Sequence, residues 1–457
     1  MRRSNERFAN FRVAPFRWVL FLWTVLMVGP HGLAAEETAP VRTAAPAVLD
    51  PGITPDPNSA ARSKKSASAQ PQLAFRVAKV ITFDREERVI NNAVVLVANG
   101  KITKVGHHKD VTIPADCQII DRPTLWLVPG MVDCHNHIAG SLSDLNDMVY
   151  LTNPGLNTLE TLEPENANLK RGRAGGVTTV LLIPGSGTNM SGFGTIARLA
   201  GDSVDDMVVA SPGSLKIAQA GNPESYWYGV GRSFMNYNTR QTLTKARDYH
   251  ERWKRFEADQ SLARPDFNPI FHNFRGLFEG KFVVSVHTQI YQVVMMSILM
   301  LAREFKLQTV LDHSEFDAWK LAPLIRDDPN VYTICGPRVL HFDRTERRIV
   351  GLAAQWWQHG VRRLGINTDA PVIPQEELSY QAAMGCWYGW KPYEALRGVT
   401  QLPAEALKIQ HRVGSIQEGL DAEFCLWTGD PIDPRSVCEI TVVQGRVVYN
   451  VAEGREF

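Results

Sequence analysis

Between residues 125 and 405 the chain repeats one unit, a short apolar run followed by a helix-patterned stretch. The runs include GVTTVLLIPG, KFVVSVHTQ, LQTVLDHS, NVYTICGP and VRRLGINTDAP, and helical candidates lie between them at 243–258, 293–304, 318–326 and 349–359. Strands that alternate with helices run parallel, because a parallel partner needs a crossover long enough to hold a helix. The segment has room for about eight such units, so the expected fold is α/β, a closed (β/α)8 TIM barrel with its site at the carboxyl ends of the strands. An open doubly wound sheet is the plainer alternative.

The run LWLVPGMVDCHNH, Leu125 to His137, ends in two histidines two positions apart. Alternate residues of a strand point to one face, so His135 and His137 can share a metal ion, while Cys134 between them points away. Three more ligand-type residues, His287, His313 and Asp369, stand at the ends of later runs. A barrel brings all five to one rim; an open sheet explains their convergence less well.

Both ends of the chain are patterned differently. AFRVAKVITFD and AVVLVANGKITKVG read as strands, with Asn99-Gly100 as a hairpin turn. DAEFCLWTG and EITVVQGRVVYN repeat that character, with Gln444-Gly445 at a turn. Residues 73–124 and 406–457 are therefore expected to form one small β-sandwich domain, with the metal-dependent barrel, 125–405, inserted between its halves.

The leader is read separately. Five arginines precede an apolar run from Trp18 to Val28, and small residues follow at Gly32, Ala34 and Ala35. That is the layout of a secretory signal peptide over 1–35, with cleavage expected near Ala34 or Ala35. An uncleaved amino-terminal anchor is the alternative, although the run is short for a full span. Membrane contact is expected only in that case; either way the body is expected to be periplasmic or otherwise exported. Residues 36–72, rich in Ala, Pro, Ser, Thr and Lys, read as a flexible linker.

Composition excludes more than it assigns. With 457 residues, 44% of them hydrophobic, the chain can bury a large core. A formal net charge of +1 gives no ground for a nucleic-acid partner. The six cysteines include no CxxC pair, so they suggest neither a zinc ribbon nor a required disulfide framework.

Six segments in order, PGMVDCHNH (129–137), GVTTVLLIPGSGTNMSGFGT (176–195), VHTQ, DHSE, TDAP and GSIQEGLDAEFCLWTGDPID (414–433), resemble the amidohydrolase superfamily, most closely its imidazolonepropionase-like branch. The likeness spans roughly 74–450. Glu423 stands where that family usually has an aspartate. The resemblance implies that His135 and His137 bind the more buried of one or two divalent metal ions, zinc being the expected element, from the first barrel strand. His287 and His313 would come from the fifth and sixth strands. Asp369, from the eighth, would bind metal and take a proton from the attacking water. Lys216, in SLKIAQAGNP, would bridge two metals as a carboxylated lysine; otherwise it is a substrate-binding or surface lysine and the site holds one ion. Related members show an LKxAxGEN pattern here, and Gly221 replaces its acidic residue.

Such a site turns water into a nucleophile near neutral pH. The expected reaction is hydrolysis of a C–N bond in a small-molecule amide, dipeptide or cyclic amide. A deaminase or lactonase of the same superfamily, or a metal-stabilised binding protein with little turnover, are the alternatives. Imidazolonepropionase action itself belongs to cytoplasmic histidine breakdown and fits an exported chain poorly. Substrate contacts are expected from Tyr228, from Arg232 and from Arg338 in CGPRVLHFD, with an ordinary surface ion pair as the other reading of each arginine. The family resemblance also implies a homo-oligomer.

Overall fold

A computed structural model of the chain describes residues 72–140, 146–219, 222–227 and 229–454. The leader and, but for Gln72, the linker lie outside the described residues, as do Gly221 and Tyr228. Among the described residues no helix is long and apolar enough to cross a membrane.

A seven-stranded mixed sheet is assembled from both ends of the described chain. Its first strands are β1 (Leu73–Ile81), β2 (Val89–Ala98), β3 (Lys101–His107) and β4 (Gln118–Pro129). The remaining three are β15 (Phe424–Trp427), β16 (Cys438–Val443) and β17 (Arg446–Asn450), in the order β17-β16-β15-β4-β1-β2-β3. Asn99-Gly100 and Gln444-Gly445 each have two successive positive φ angles, +50° and +73° and then +49° and +73°. Two-residue hairpins with that geometry match the twist of the strands they join. An isolated bridge between Lys101 and Asp421 ties the edge strand β3 to the residues just before β15, so the sheet folds back on itself. Phe75, Val95, Leu127, Phe424 and Ile440 fill the core it encloses.

The apolar run that leads to the two histidines breaks at Gly130, and β5 (Met131–Asn136) belongs to a second sheet. A Cβ at Gly130 would lie 2.1 Å from the Thr178 hydroxyl oxygen, so only glycine fits this crossing. The second sheet continues through β6 (Val177–Leu182), β7 (Met190–Arg198), β8 (Val208–Ala218), β9 (Val283–Thr288), β10 (Thr309–His313), β11 (Val331–Cys335) and, past the hairpin β12–β13 (Leu340–Asp343, Arg348–Gly351), β14 (Leu364–Ile366). These eight strands form a nearly closed TIM-type barrel. A bridge between Asn136 and Ala370 draws the last strand's end to the first, and the Thr368 hydroxyl donates to Asp133 across the same seam. Every residue of β6, β9, β10 and β11 is buried, as strands covered on both faces require.

The barrel departs from parallel strand pairing at one strand, β7, which is antiparallel to both β6 and β8. Residues 183–189, which join β6 to β7, are too few for a crossover, so the chain can only turn back beside the strand it has left. The helices of six residues or more are α1 (Ala167–Ala174), α2 (Arg232–Ala258), α3 (Tyr291–Ser297, continued as a π-helix to Glu304), α4 (Leu352–Gln358), α5 (Leu378–Trp387), α6 (Pro392–Arg397) and α7 (Gln401–Ala406). The helix expected from residue 349 begins only at Leu352, because Ile349 pairs with Phe342 in the hairpin.

Candidate metal centre

Each candidate ligand sits where a barrel strand ends. His135 is the penultimate residue of β5 and His137 lies just beyond it; Lys216 is near the end of β8, His287 near that of β9, and His313 closes β10. Asp369 follows β14. Register sets them side by side: His287 pairs with Ala218 on one flank and Asp312 on the other, and Lys216 pairs with Ser285.

Two groups of three result, His135 with His287 and His313, and His135 with His137 and Asp369; within each, one ligand atom per residue lies within 4.8 Å of the others. Asp369 Oδ1 is 3.2 Å from both His135 Nε2 and His137 Nε2. His313 Nε2 lies 2.8 Å from His287 Nδ1, which is also 2.9 Å from the Ser186 hydroxyl. Lys216 is fully buried, with Nζ 3.0 Å from His135 Nε2. The Cys134 thiol lies away from this cluster, 3.7 Å from the carbonyl of Pro403.

Hydrogen bonding on the far side of the rings fixes which nitrogens face inward. His137 Nδ1 is 2.8 Å from the Ile183 carbonyl and His313 Nδ1 is 2.5 Å from that of Gly336. A carbonyl accepts only, so both Nδ1 atoms carry the proton and both Nε2 atoms turn lone pairs to the centre. His135 Nδ1 lies 3.0 Å from Asp312 Oδ2, off the ideal hydrogen-bond line, which gives the same sense. The lone pairs of His135 and His137 then face a carboxylate oxygen, an arrangement that repels itself unless a cation sits between. The donor set of imidazole nitrogens and one carboxylate therefore fits one or two divalent metal ions.

Electrostatics agree. Burial holds His287 well below the usual histidine range, His137 below it, and His313 at about 4, so these rings are neutral at physiological pH, as metal binding requires. Burial and Lys216 push His135 down, but the Asp312 and Asp369 carboxylates outweigh them and raise it. Burial lowers Lys216 to about 8. Burial works against ionisation of Asp369, yet His313 and His135 hold its carboxyl well below the usual range.

A cavity of about 400 Å³ opens over the cluster, lined by His287, His313, Asp369, Gln289, Glu315 and Arg338 among others. A larger groove, about 570 Å³, lies on the small sheet beside Arg76 and His108 and contains none of the candidate ligands. The two arginines expected to meet substrate separate here. Arg338 lines the cavity; its backbone N–H and its Nε reach the two oxygens of buried Glu315 at 3.1 and 3.2 Å, and its side chain is half exposed. Arg232 opens α2 with an exposed guanidinium 2.8 Å from Glu224, and it does not line the cavity.

Sequence reasoning assigned no role to the side chains of Asp312, Glu315 and Ser186. Asp312 and Glu315 flank His313 within the same DHSE segment, but the alternate-face rule sends Asp312 away from its neighbour. His313 has φ +66° and Ser314 +47°, so the strand twists out of the β region there; His313 joins the ligand cluster and Asp312 lies behind the His135 ring.

Comparison with known proteins follows the same line. The amidohydrolase family model matches residues 353–455. An amidohydrolase of Hapsidospora irregularis, tasK, is 22% identical over 378 residues, 74% of this chain; the chain spans only 38% of that relative's length. An imidazolonepropionase of Pseudomonas entomophila is 25% identical over 364 residues, 74% of this chain and 88% of its own. Among solved structures, an amidohydrolase from Thermotoga maritima superposes with a TM-score of 0.73 at 27% identity, covering 83% of this chain and all of that one. Barrel, inward-facing ligand set and these likenesses together make the chain a metal-dependent hydrolase with a metal-binding active site, similar to members of the amidohydrolase superfamily.

Proposed function

We propose that this chain is an exported enzyme that hydrolyses the C–N bond of an amide bearing a carboxylate, such as an N-acyl amino acid or a dipeptide. The observation that carries this reading is a single cavity lined by His287, His313 and Asp369 of the ligand cluster and also by Arg338. Glu315 engages the backbone N–H and Nε of Arg338, which leaves the terminal nitrogens to fork onto a carboxylate. A cyclic amide carrying the same carboxylate meets the same requirement. The likeness to imidazolonepropionases supports placing the chain near that branch.

His135, His137 and Asp369 would hold one ion and His287 with His313 the other, zinc suiting this nitrogen-rich set. Lys216, beside His135, would bridge them as its carbamate. When bound, a divalent ion supplies Lewis acidity, lowering the pKa of water and polarising a carbonyl. Asp369, ionised at working pH, accepts the proton of the attacking water and hands it to the leaving nitrogen. Arg338 fixes the end of the substrate remote from the reacting carbon.

The test is metal analysis of protein purified without chelator, followed by a panel of N-acyl amino acids, dipeptides, lactams and lactones, each with and without a carboxylate. Turnover confined to carboxylate-bearing amides is expected, and Asp369→Asn should lower kcat by about 100-fold or more with the fold retained. Bound metal with no hydrolysis across the panel would sink this reading and leave a binding protein.

A further inference from the structure

The two ligand groups share one residue, His135. Its orientation is controlled differently from that of its neighbours. Backbone carbonyls, from Ile183 and Gly336, hold the Nδ1 atoms of His137 and His313. His135 Nδ1 instead faces a side chain, Asp312 Oδ2, at 3.0 Å. We propose that Asp312 is a positioning residue, which keeps the proton of His135 on Nδ1 so that Nε2 presents its lone pair to the ligand cluster. The inference rests on the metal-binding reading of the site.

Three observations support it. Asp312 and His135 are both wholly buried, so no water competes for the contact. The Ser285 hydroxyl donates to the same Oδ2, which pins the carboxylate towards His135. The backbone is bent to make the contact: φ of +66° at His313 is unfavourable for a side chain of that size, and it lets two consecutive residues of β10 serve one centre. Without an acceptor at Nδ1, the neutral ring gains by moving its proton to Nε2. There it would donate to Asp369 Oδ1, 3.2 Å away, and close the position a cation needs.

Asp312→Asn makes the sharpest probe. Ser285 would claim the remaining carbonyl oxygen, turn the amide NH2 towards His135 Nδ1 and favour the other tautomer. Zinc affinity of the metal-free protein, measured by chelator competition, is expected to fall about 10- to 100-fold, the usual loss when the group that orients a metal-bound histidine is removed. Ser285→Ala should weaken affinity less, in the same direction. Proton–nitrogen correlation spectra of labelled histidine rings in the metal-free parent should show His135 protonated at Nδ1. A parent ring protonated at Nε2 overturns the proposal even if Asp312→Asn does not fold, as does unchanged zinc affinity in a folded Asp312→Asn variant. A parent that binds no zinc overturns the metal-binding reading as well; a parent that binds normally beside an indifferent variant overturns only the role of Asp312.

Discussion

Arg198→Ala should loosen the join between barrel and small sheet. Arg198, on β7, is 1% exposed and gives its Nε to Glu423 at 2.6 Å and its Nη2 to Asp421 at 2.7 Å. The acids are not equally dependent on it. Asp421 keeps Lys101, and Arg412 at 3.0 Å. The Glu423 side chain, buried just before β15, keeps only the Thr179 hydroxyl, at 2.9 Å, among the described residues. Removing one partner of a buried pair costs about 3–5 kcal/mol, and the retained partners of Asp421 point to the lower half, about 3–4 kcal/mol. With about 375 described residues and about 2.1 cal/mol/K of unfolding entropy per residue, that corresponds to a fall in Tm of about 4–5 °C. Urea and thermal unfolding of both proteins measure it. The sign with pH is a second check: burial already raises the Glu423 carboxyl above its ordinary range, and loss of Arg198 raises it further. The folded state then holds a proton that the unfolded state has lost, so the penalty is full above the raised pKa and shrinks as pH falls through it. Replacing both Arg198 and Glu423 with leucine should recover at least half the loss. A deficit below about 1 kcal/mol, or one that grows on acidification, would refute the reasoning.

Lys216→Ala is expected to lower bound metal from about two ions per chain to one or fewer, read by elemental analysis; unchanged content would remove the bridging role. Arg338→Met should raise KM about 10- to 100-fold for a carboxylate-bearing amide, the worth of a lost charge-assisted hydrogen bond, and leave a neutral analogue unaffected. Equal effects on both would detach Arg338 from the carboxylate. Gly336 has φ +113°, and a Cβ there would lie 2.3 Å from the Asn367 carbonyl oxygen. Gly336→Ala should therefore cost about 1–3 kcal/mol in urea unfolding and also weaken zinc binding, because the carbonyl that holds His313 moves; a stable variant with parental affinity would contradict this.

Much of the site was legible because its residues obey local rules. The i, i+2 spacing puts His135 and His137 on one face wherever a strand forms, and histidines at the ends of apolar runs reach the rim wherever those runs line a barrel. Asn99-Gly100 specifies a hairpin because both residues tolerate positive φ, and Gln444-Gly445 does so through its glycine. What escaped depends on distant partners. Arg232 and Arg338 were equal candidates in sequence, and only the fold put one over the cavity and paired the other with Glu224 at the surface. Glu423 looked like a mild substitution until β7 laid Arg198 against it. β7 itself reverses because residues 183–189 cannot span a crossover. Asp312 was hidden by the alternation that revealed His135, since alternation holds only while the backbone stays in the β region. The sequence by itself determined which residues could bind a metal and that strands would carry them. Tertiary packing decided which partners orient them, because a left-handed φ at His313 persists only where the surrounding barrel offsets its strain.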